Sequence, residues 1–553
     1  MKKIVIILSL ALIVLFTSCS KKEKAEDDFR VAPLDCGKSL EITAYVGKNQ
    51  TVRIPSRLHG KPVTRIGNGA FREKEIINVT IPGSVKEIGQ NAFARNMLTS
   101  VAIPGKVAAI ENLAFAGNQL TSVTIGSNVT TIGDGVFRDN QLTNVTIPNK
   151  VAAIGNDTFR NNQLTSVRIG SRVISIGNNA FEENQLTGLN IPNSVTTIGN
   201  EAFRNNQLAS VTIGNGVTTI GERAFAVNQL TSIHIPNNVT TIGTFSFYEN
   251  QLTSATFDAN AVIEYVAGSI GQEGNERAVL WKNNIPLLLS DTRSWAGAVY
   301  VSGNDEYVAG VVGERESPRA MLWKNGVPQA LSDTASWAYS VYVSGSDVYV
   351  TGYAGQERNE RATLWKNGIP QTLSDTASWA SSVYVSGSDI YVLGTVGQGQ
   401  NQRATLWKNG DPQILNNTQS WGDSVYVSGS DVYIAGTLGQ QNQRATLWVN
   451  DAAQTLSNTQ SWANSVYVSG SDVYVSGTVG QWQNQRSVLW INGTAQTLSN
   501  TQSSATSVYV SGSDVYVLGT VGQGQNQRTT LWKNGVSQPL SNIQSTASSV
   551  FVK

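Results

Sequence analysis

The chain of 553 residues holds only two cysteines, two histidines and three methionines. Two cysteines cannot build the disulfide framework of a small secreted scaffold. Two histidines with so few thiols offer no dedicated zinc site. Charge is sparse as well: 14% of residues are charged and the net charge is +1. A nucleic-acid binder needs a basic stripe to displace counterions, and none is present. No apolar run spans a bilayer comfortably, because residues 4–16 are broken only by Ser9 yet fall short of the roughly 20 residues required. What the chain does have is 51 glycines with abundant Asn, Thr, Ser and Val, a mixture of β-branched residues and turns that predicts a mostly β protein.

Lys2 and Lys3 precede that apolar run, which ends in LFTSC at Cys19. The pattern resembles a bacterial lipoprotein signal, although Phe16 stands where Leu is commoner; an ordinary signal peptide cut nearby is the other reading. The resemblance implies that Cys19 is lipidated and that residues 1–19 are a signal peptide. Ser20, where Asp often retains lipoproteins at the inner membrane, implies an outer-membrane anchor by the same likeness. Residues 20–37 are charged and lack periodicity at their start, so they read as a solvated tether. Cys36 has no His or second Cys beside it and reads as a structural thiol.

From there the chain repeats. Ile66, Ile88, Ile110, Ile132, Ile154, Ile176, Ile198, Ile220 and Ile242 are spaced by 22 residues, and Phe71 to Phe247 keep the same interval, giving nine units. Within a unit such as Leu120-x-x-Val123-x-Ile125, alternation turns Val123 and Ile125 inward and Thr124 outward. Gly126, or Pro148 in other units, ends the strand; Val129 and Ile132 form a second apolar pair, and Phe137 fills the interior. No unit buries its apolar side alone, so stacking must supply the core. An Asn recurring at Asn96 to Asn250 is expected to act as a ladder that satisfies buried backbone groups.

The unit LTSVTIP-x-x-VTTIG-x-x-AF resembles the BspA-like leucine-rich repeat of bacterial surface proteins, and TVRIPSRLHGKPVTRIGNGAF is similar to that family's opening segment. The resemblance covers about residues 40–257. It implies a solenoid with a parallel sheet along one face and a role in adhesion or host-protein binding. The outward positions Thr124, Thr146, Arg168, Asn190, Thr212 and His234 are candidate binding residues on that face; a merely solvated face is the alternative.

After Phe257 the period changes. Trp281, Trp323, Trp365, Trp407, Trp448, Trp490 and Trp532 are spaced by 42 residues, with one interval of 41. Each unit parses into four strands with an SGSD turn and an Asn-Gly hairpin, the size of one propeller blade. The first unit lacks its SVYVS strand, while the chain finishes on SSVFVK. Residues 548–553 should therefore close the ring. The fold class is mainly β: a nine-repeat solenoid over 38–257, then a seven-bladed propeller over 258–553 with 1+3 closure; an open or eight-bladed array is the alternative. The sialidase Asp-box and WD40 pairings are absent. The Asp of each SGSD turn reads as turn structure bonded to its own backbone, since one carboxylate per blade makes no calcium site.

The SGSD and KNG turns share one face and look inert. The other face carries the Gln- and Glu-rich loops and Trp295, Trp337, Trp379, Trp421 and Trp462, with Ser504 and Thr546 in place of Trp in the last two units. Trp482 is the lone aromatic in such a loop; Glu316 and Glu357 charge two others, and Arg319 and Arg361 start adjoining strands. These residues either stack on sugars or a protein loop, or wedge between blades and bond neighbouring loops. The expectation is a lipid-anchored bacterial surface protein, exported to the outer membrane, that binds a host-matrix protein or a glycan. It is expected to need no cofactor or metal, to touch membrane only through its lipid and to bind no nucleic acid. A periplasm-facing envelope scaffold is the alternative. A polysaccharide-active enzyme is less favoured, since both His59 and His234 lie outside the propeller.

Overall fold

The computed structural model describes residues 26–258, 262–314, 316–356, 359–481 and 483–553. The signal segment with Cys19, together with Glu357 and Trp482, lies outside the described residues. Among the described residues the regular elements are all strands apart from three single-turn 3-10 segments.

The first array is a solenoid. Its Phe column stacks face to face: Phe71 to Phe247 lie 4.9 to 5.7 Å apart, centroid to centroid. The column runs one coil further than the nine units, because Tyr45 stacks on Phe71 at 5.4 Å and Ile42 pairs with Ile66. Residues Phe29–Leu34, expected within the tether, instead form a strand that pairs antiparallel with Ser39–Tyr45. Phe29 is the reason: it covers the open end of the core against Tyr45 and Phe71. Cys36 does not fill a core as a structural thiol would; it is exposed.

The continuous parallel sheet is built from the second apolar pair of each unit, the column Ile66 to Ile242. The V-x-I strands, expected to make the long sheet face, join only in pairs such as Asn144–Thr146 with Ser166–Arg168. Each pair from Ser100–Ala102 to Gly188–Asn190 starts in a unit ending in Pro and finishes in one ending in Gly. The ladder breaks before each Pro unit, where proline has no N–H to return to the preceding coil; within a pair the coils come close, and a Cβ at Gly170 would collide with the Pro148 carbonyl oxygen.

The Asn ladder is in place. The Asn118 amide donates to the Phe93 and Phe115 carbonyls, both at 3.0 Å, and its oxygen accepts the Leu98 N–H at 3.1 Å. One side chain thus ties consecutive coils from the inside.

The second array is a closed propeller. Ser545–Val552 pairs antiparallel with Glu264–Ile270, so the last strand completes blade 1. Blades 2 to 7 then occupy 294–330, 336–372, 378–414, 420–455, 461–497 and 503–539, each a four-stranded sheet. The third-strand Trp of each blade is fully buried. It packs into the preceding blade, as Trp365 does among Ala309, Ala320 and Leu322. The hairpin turns behave as the Asn-Gly pairs require: Asn325 and Gly326 have φ of 52° and 78°.

The solenoid and propeller share one interface. Blade 1 has an apolar outer strand, Ile285–Leu288, where other blades carry exposed Gln and Thr. Ile285 and Leu287 are buried in the solenoid core, and the Leu288 N–H donates to the Leu252 carbonyl at 3.1 Å. The blade thereby caps the last coil, which would otherwise leave its apolar end in water.

Candidate functional site at the propeller mouth

The innermost strand of each blade starts earlier than the repeat suggests: Ser-Trp belongs to the strand, as in Ser378–Ser386, and not to a link between blades. The leading Ser is structural, since Ser378 Oγ accepts the Ala362 N–H at 2.9 Å. Three residues after it the strand bulges. Residues 297, 339, 381, 423, 464, 506 and 548 are each skipped in the pairing with the second strand. A bulge re-aims a side chain and bends its strand. Here it drives the preceding backbone toward a glycine across the pair; a Cβ at Gly352 would strike the Trp337 carbonyl oxygen.

Below the bulges, Tyr300, Tyr342, Tyr384, Tyr426, Tyr467, Tyr509 and Phe551 form a complete ring with neighbouring centroids 4.8 to 5.2 Å apart. Burial raises the Tyr342 and Tyr467 phenols, and adjoining phenols add to the shift. The ring narrows the central channel to an aromatic floor. The bulge residues form the wall above it, and the Trp residues stand at the rim.

The rim is not uniform. Trp295, Trp337, Trp379, Trp421 and Trp462 are half-buried. Trp295 and Trp337 meet at 5.9 Å, and the Trp421 indole N–H donates to Gln402 at 3.1 Å. The inter-blade wedges are therefore the third-strand Trp residues. Where Ser504 and Thr546 replace Trp, hydroxyl pairs take over: Ser504 with Thr520 at 2.9 Å and Thr546 with Ser269 at 2.8 Å. Between them and Trp295 lies a cavity of ≈ 440 Å³. Arg293 and Glu276 close its edge at 3.2 Å. Burial alone would raise Glu276, but N–H bonds from the backbone of Glu276 and Gly274, and the Arg293 charge, hold it below the usual carboxylate range. On the opposite wall, enclosure pushes the Asp423 carboxyl up to about 7.

The strand-initial Arg residues bond their own blade's loop, not the neighbouring one: Arg403 donates to the Gln400 and Gln402 carbonyls, both at 2.9 Å, and Arg361 to Glu360 at 3.2 Å. Glu316 is exposed in the loop between strands two and three of blade 2, and Arg319 is exposed at the start of strand three. The SGSD aspartates do not bond their own backbone. Asp347 accepts from Asn367 at 2.8 Å and pairs with Lys366 at 2.8 Å, which locks one hairpin to the next.

On the solenoid, Thr124, Thr146, Arg168, Asn190, Thr212 and His234 are all exposed on successive coils. His234 is held by Thr256 at 3.1 Å and Asp258 at 3.3 Å. They lie one per coil along the solenoid, whereas the propeller mouth gathers aromatic, hydroxyl and charged groups around one cavity. Two signals for that cavity were legible, Ser504 and Thr546. The bulge positions were missed, although they are the inner-strand position that varies most from blade to blade: Gly297, Tyr339, Ser381, Asp423, Asn464, Thr506 and Ser548. Among the described residues, no three His, Cys, Asp or Glu side chains cluster to hold a metal ion.

Fold and surface together define a repeat protein of two closed β arrays, a leucine-rich solenoid fused to a seven-bladed propeller. Residues 48–165 and 152–267 match the BspA type leucine rich repeat region, so the solenoid is a region of that type. No curated protein matches the chain. Among solved structures, a leucine rich cell surface protein from Faecalibacterium prausnitzii A2-165 is 27% identical, over 42% of this chain and 75% of its own, with a TM-score of 0.33. The pneumococcal vaccine antigen PcpA is 18% identical over 42% and 80%, with a TM-score of 0.29. The propeller half resembles the β-propeller domain of the Trilobed protease from Pyrococcus furiosus, 10% identical over 51% and 92%, with a TM-score of 0.36.

Proposed function

We propose that the protein is a lipid-anchored bacterial cell-surface binder that engages an extracellular protein or glycan through its repeat surfaces, without catalysing a reaction. The observation that carries this reading is the propeller mouth: seven near-identical blades converge on a cup whose wall residues differ while its scaffold residues do not. The BspA type repeats support a role at the cell surface, and the lipoprotein-like N-terminus supports export and anchoring at Cys19. Broad exposed faces on a rigid frame suit binding, although a fold does not fix its ligand.

Protease treatment of intact cells, with lysed cells as the control, tests the placement. Digestion of both arrays in intact cells is expected. Protection until lysis overturns the surface reading and favours an envelope scaffold facing the periplasm.

A further inference from the structure

The blades are close copies, so shared residues report the demands of the frame. The Ser at the strand start bonds a backbone N–H, the third-strand Trp fills the inter-blade core and the Gly faces the bulge. The bulge residue meets no shared demand. It ranges from Gly297 to Tyr339, and each variant is accommodated. A position released from the frame yet facing the cup is free to serve a ligand.

The Trp gap shows what ligand. Trp295 and Trp337 put aromatic rings on one side of the cavity, and Trp295 lies against Gly297, where a Cβ would stand 2.7 Å from its ring. The facing wall is neutral hydroxyls and an amide: Ser504, Thr506, Thr546, Ser548 and Gln527. Thr506 donates to the Leu518 carbonyl at 3.2 Å and keeps its lone pairs for an incoming donor. The charges at the edge are tied to one another, Arg293 pairing with both Glu276 at 3.2 Å and Glu314 at 3.0 Å. An aromatic face opposite neutral donors and acceptors suits the C–H face and hydroxyls of a sugar ring. The volume of ≈ 440 Å³ falls in the range of small-ligand pockets. The aromatic ring narrows the channel below, so a longer chain would extend across the cup toward the other bulge residues.

We infer that the gap in the Trp ring is a binding pocket for a neutral pyranose, with Trp295 as its stacking platform and Thr506 and Ser548 as specificity-determining residues. This rests on the reading of the protein as a surface binder and names the site and ligand class within it.

The test uses the full chain, titrated by tryptophan fluorescence and calorimetry with the methyl glycosides of glucose, galactose, mannose and N-acetylglucosamine. At least one is expected to bind saturably. Ser504→Trp restores the indole that three other blades carry opposite a Thr, so it is expected to fold and to weaken binding at least about tenfold by filling the pocket. Ser548→Ala removes one hydroxyl and is expected to weaken the same sugar by a smaller factor while circular dichroism is unchanged. No saturable binding of any of the four overturns the sugar assignment. Sugar binding that survives both substitutions overturns the pocket. Capture of an extracellular protein that is indifferent to Ser504→Trp would leave the surface-binder reading standing while the pocket fails, so the two failures are distinguishable.

Discussion

Asn140 is the most exacting probe of the solenoid. Its side chain is 8% exposed and makes three bonds that matter: it accepts the Leu120 N–H at 3.0 Å and donates to the Phe115 and Phe137 carbonyls at 3.0 and 3.1 Å. Those carbonyls also accept from Asn118 and Asn162, so they keep a partner when Asn140 is truncated. The Leu120 N–H does not. A stranded buried donor costs about 1–3 kcal/mol and each lost shared bond about 0.5–1.5 kcal/mol, so Asn140→Ala should destabilise the array by about 3 kcal/mol. Asn144→Ala, at an exposed site whose amide reaches only Thr143, should change stability by less than about 0.5 kcal/mol. All 13 tryptophans lie at or beyond Trp281, so fluorescence follows the propeller alone while far-UV circular dichroism follows both arrays. In urea, with a slope on the order of 2–3 kcal/mol/M, the dichroism midpoint of the solenoid should fall by about 1 M. An Asn140→Ala midpoint indistinguishable from that of Asn144→Ala would refute the ladder.

The interface makes a second prediction. Leu287→Gln introduces the residue that blade 2 carries at the same place, Gln329, and should uncouple the arrays at a cost of about 2 kcal/mol. Separate calorimetric transitions would show it, and one unchanged transition would contradict it. Asp423 predicts a pH dependence. Burial raises its carboxyl from 3.8 to about 7, so between those values the folded protein keeps a proton that the unfolded chain has lost. Wild-type stability should therefore fall as pH rises through that window and level off above it, by a few kcal/mol at most. Asp423→Asn should remove the fall and be the more stable protein at about pH 8; parallel stability profiles for the two proteins would exclude this account. Deleting residues 545–553 strips the partner from Glu264–Ile270 and Phe551 from the aromatic ring. The open edge should aggregate and the sharp fluorescence transition should disappear; a transition that stays sharp would show that closure is dispensable.

The two periods were legible because stacking makes the same demand of every coil and every blade. The Phe column, the Asn ladder and the closing strand followed from that demand and from the mismatched ends of the second array. Which half-unit builds the long sheet did not follow. Both halves alternate apolar and polar residues, and the choice depends on Pro148 and its counterparts withholding an N–H, which is a matter of register rather than of pattern. The strand at Phe29–Leu34 was hidden beside a charged run because a single aromatic, Phe29, decides it. The Arg and Asp partners were misplaced for a related reason. Recurrence tells that a residue serves the frame, but not which backbone or hairpin it reaches.

The functional residues obey the opposite logic. In an array of near-copies, selection for the frame keeps residues alike, so departures carry the information. Two local departures have partners that explain them. Leu287 replaces the Gln of every other blade where blade 1 meets the solenoid, and Ser504 and Thr546 pair with Thr520 and Ser269 where Trp is missing. The bulge residues are different, because no single contact explains their spread. Asn464 donates to the next blade at Ala505, Thr506 to its own blade at Leu518, and Tyr339 packs between Trp295 and Trp337. Seven bulges at one height around one axis turn that spread into a single surface. Drift alone would leave such a ring chemically random around its circumference. Two of its three small hydroxyls, Thr506 and Ser548, fall on the two adjacent blades that also lost their Trp and open onto the same cavity, while Ser381 stands on a blade that keeps Trp379. That coincidence places the strongest case for recognition at the gap in the rim, and it makes Ser504→Trp the substitution that bears most directly on what the propeller binds.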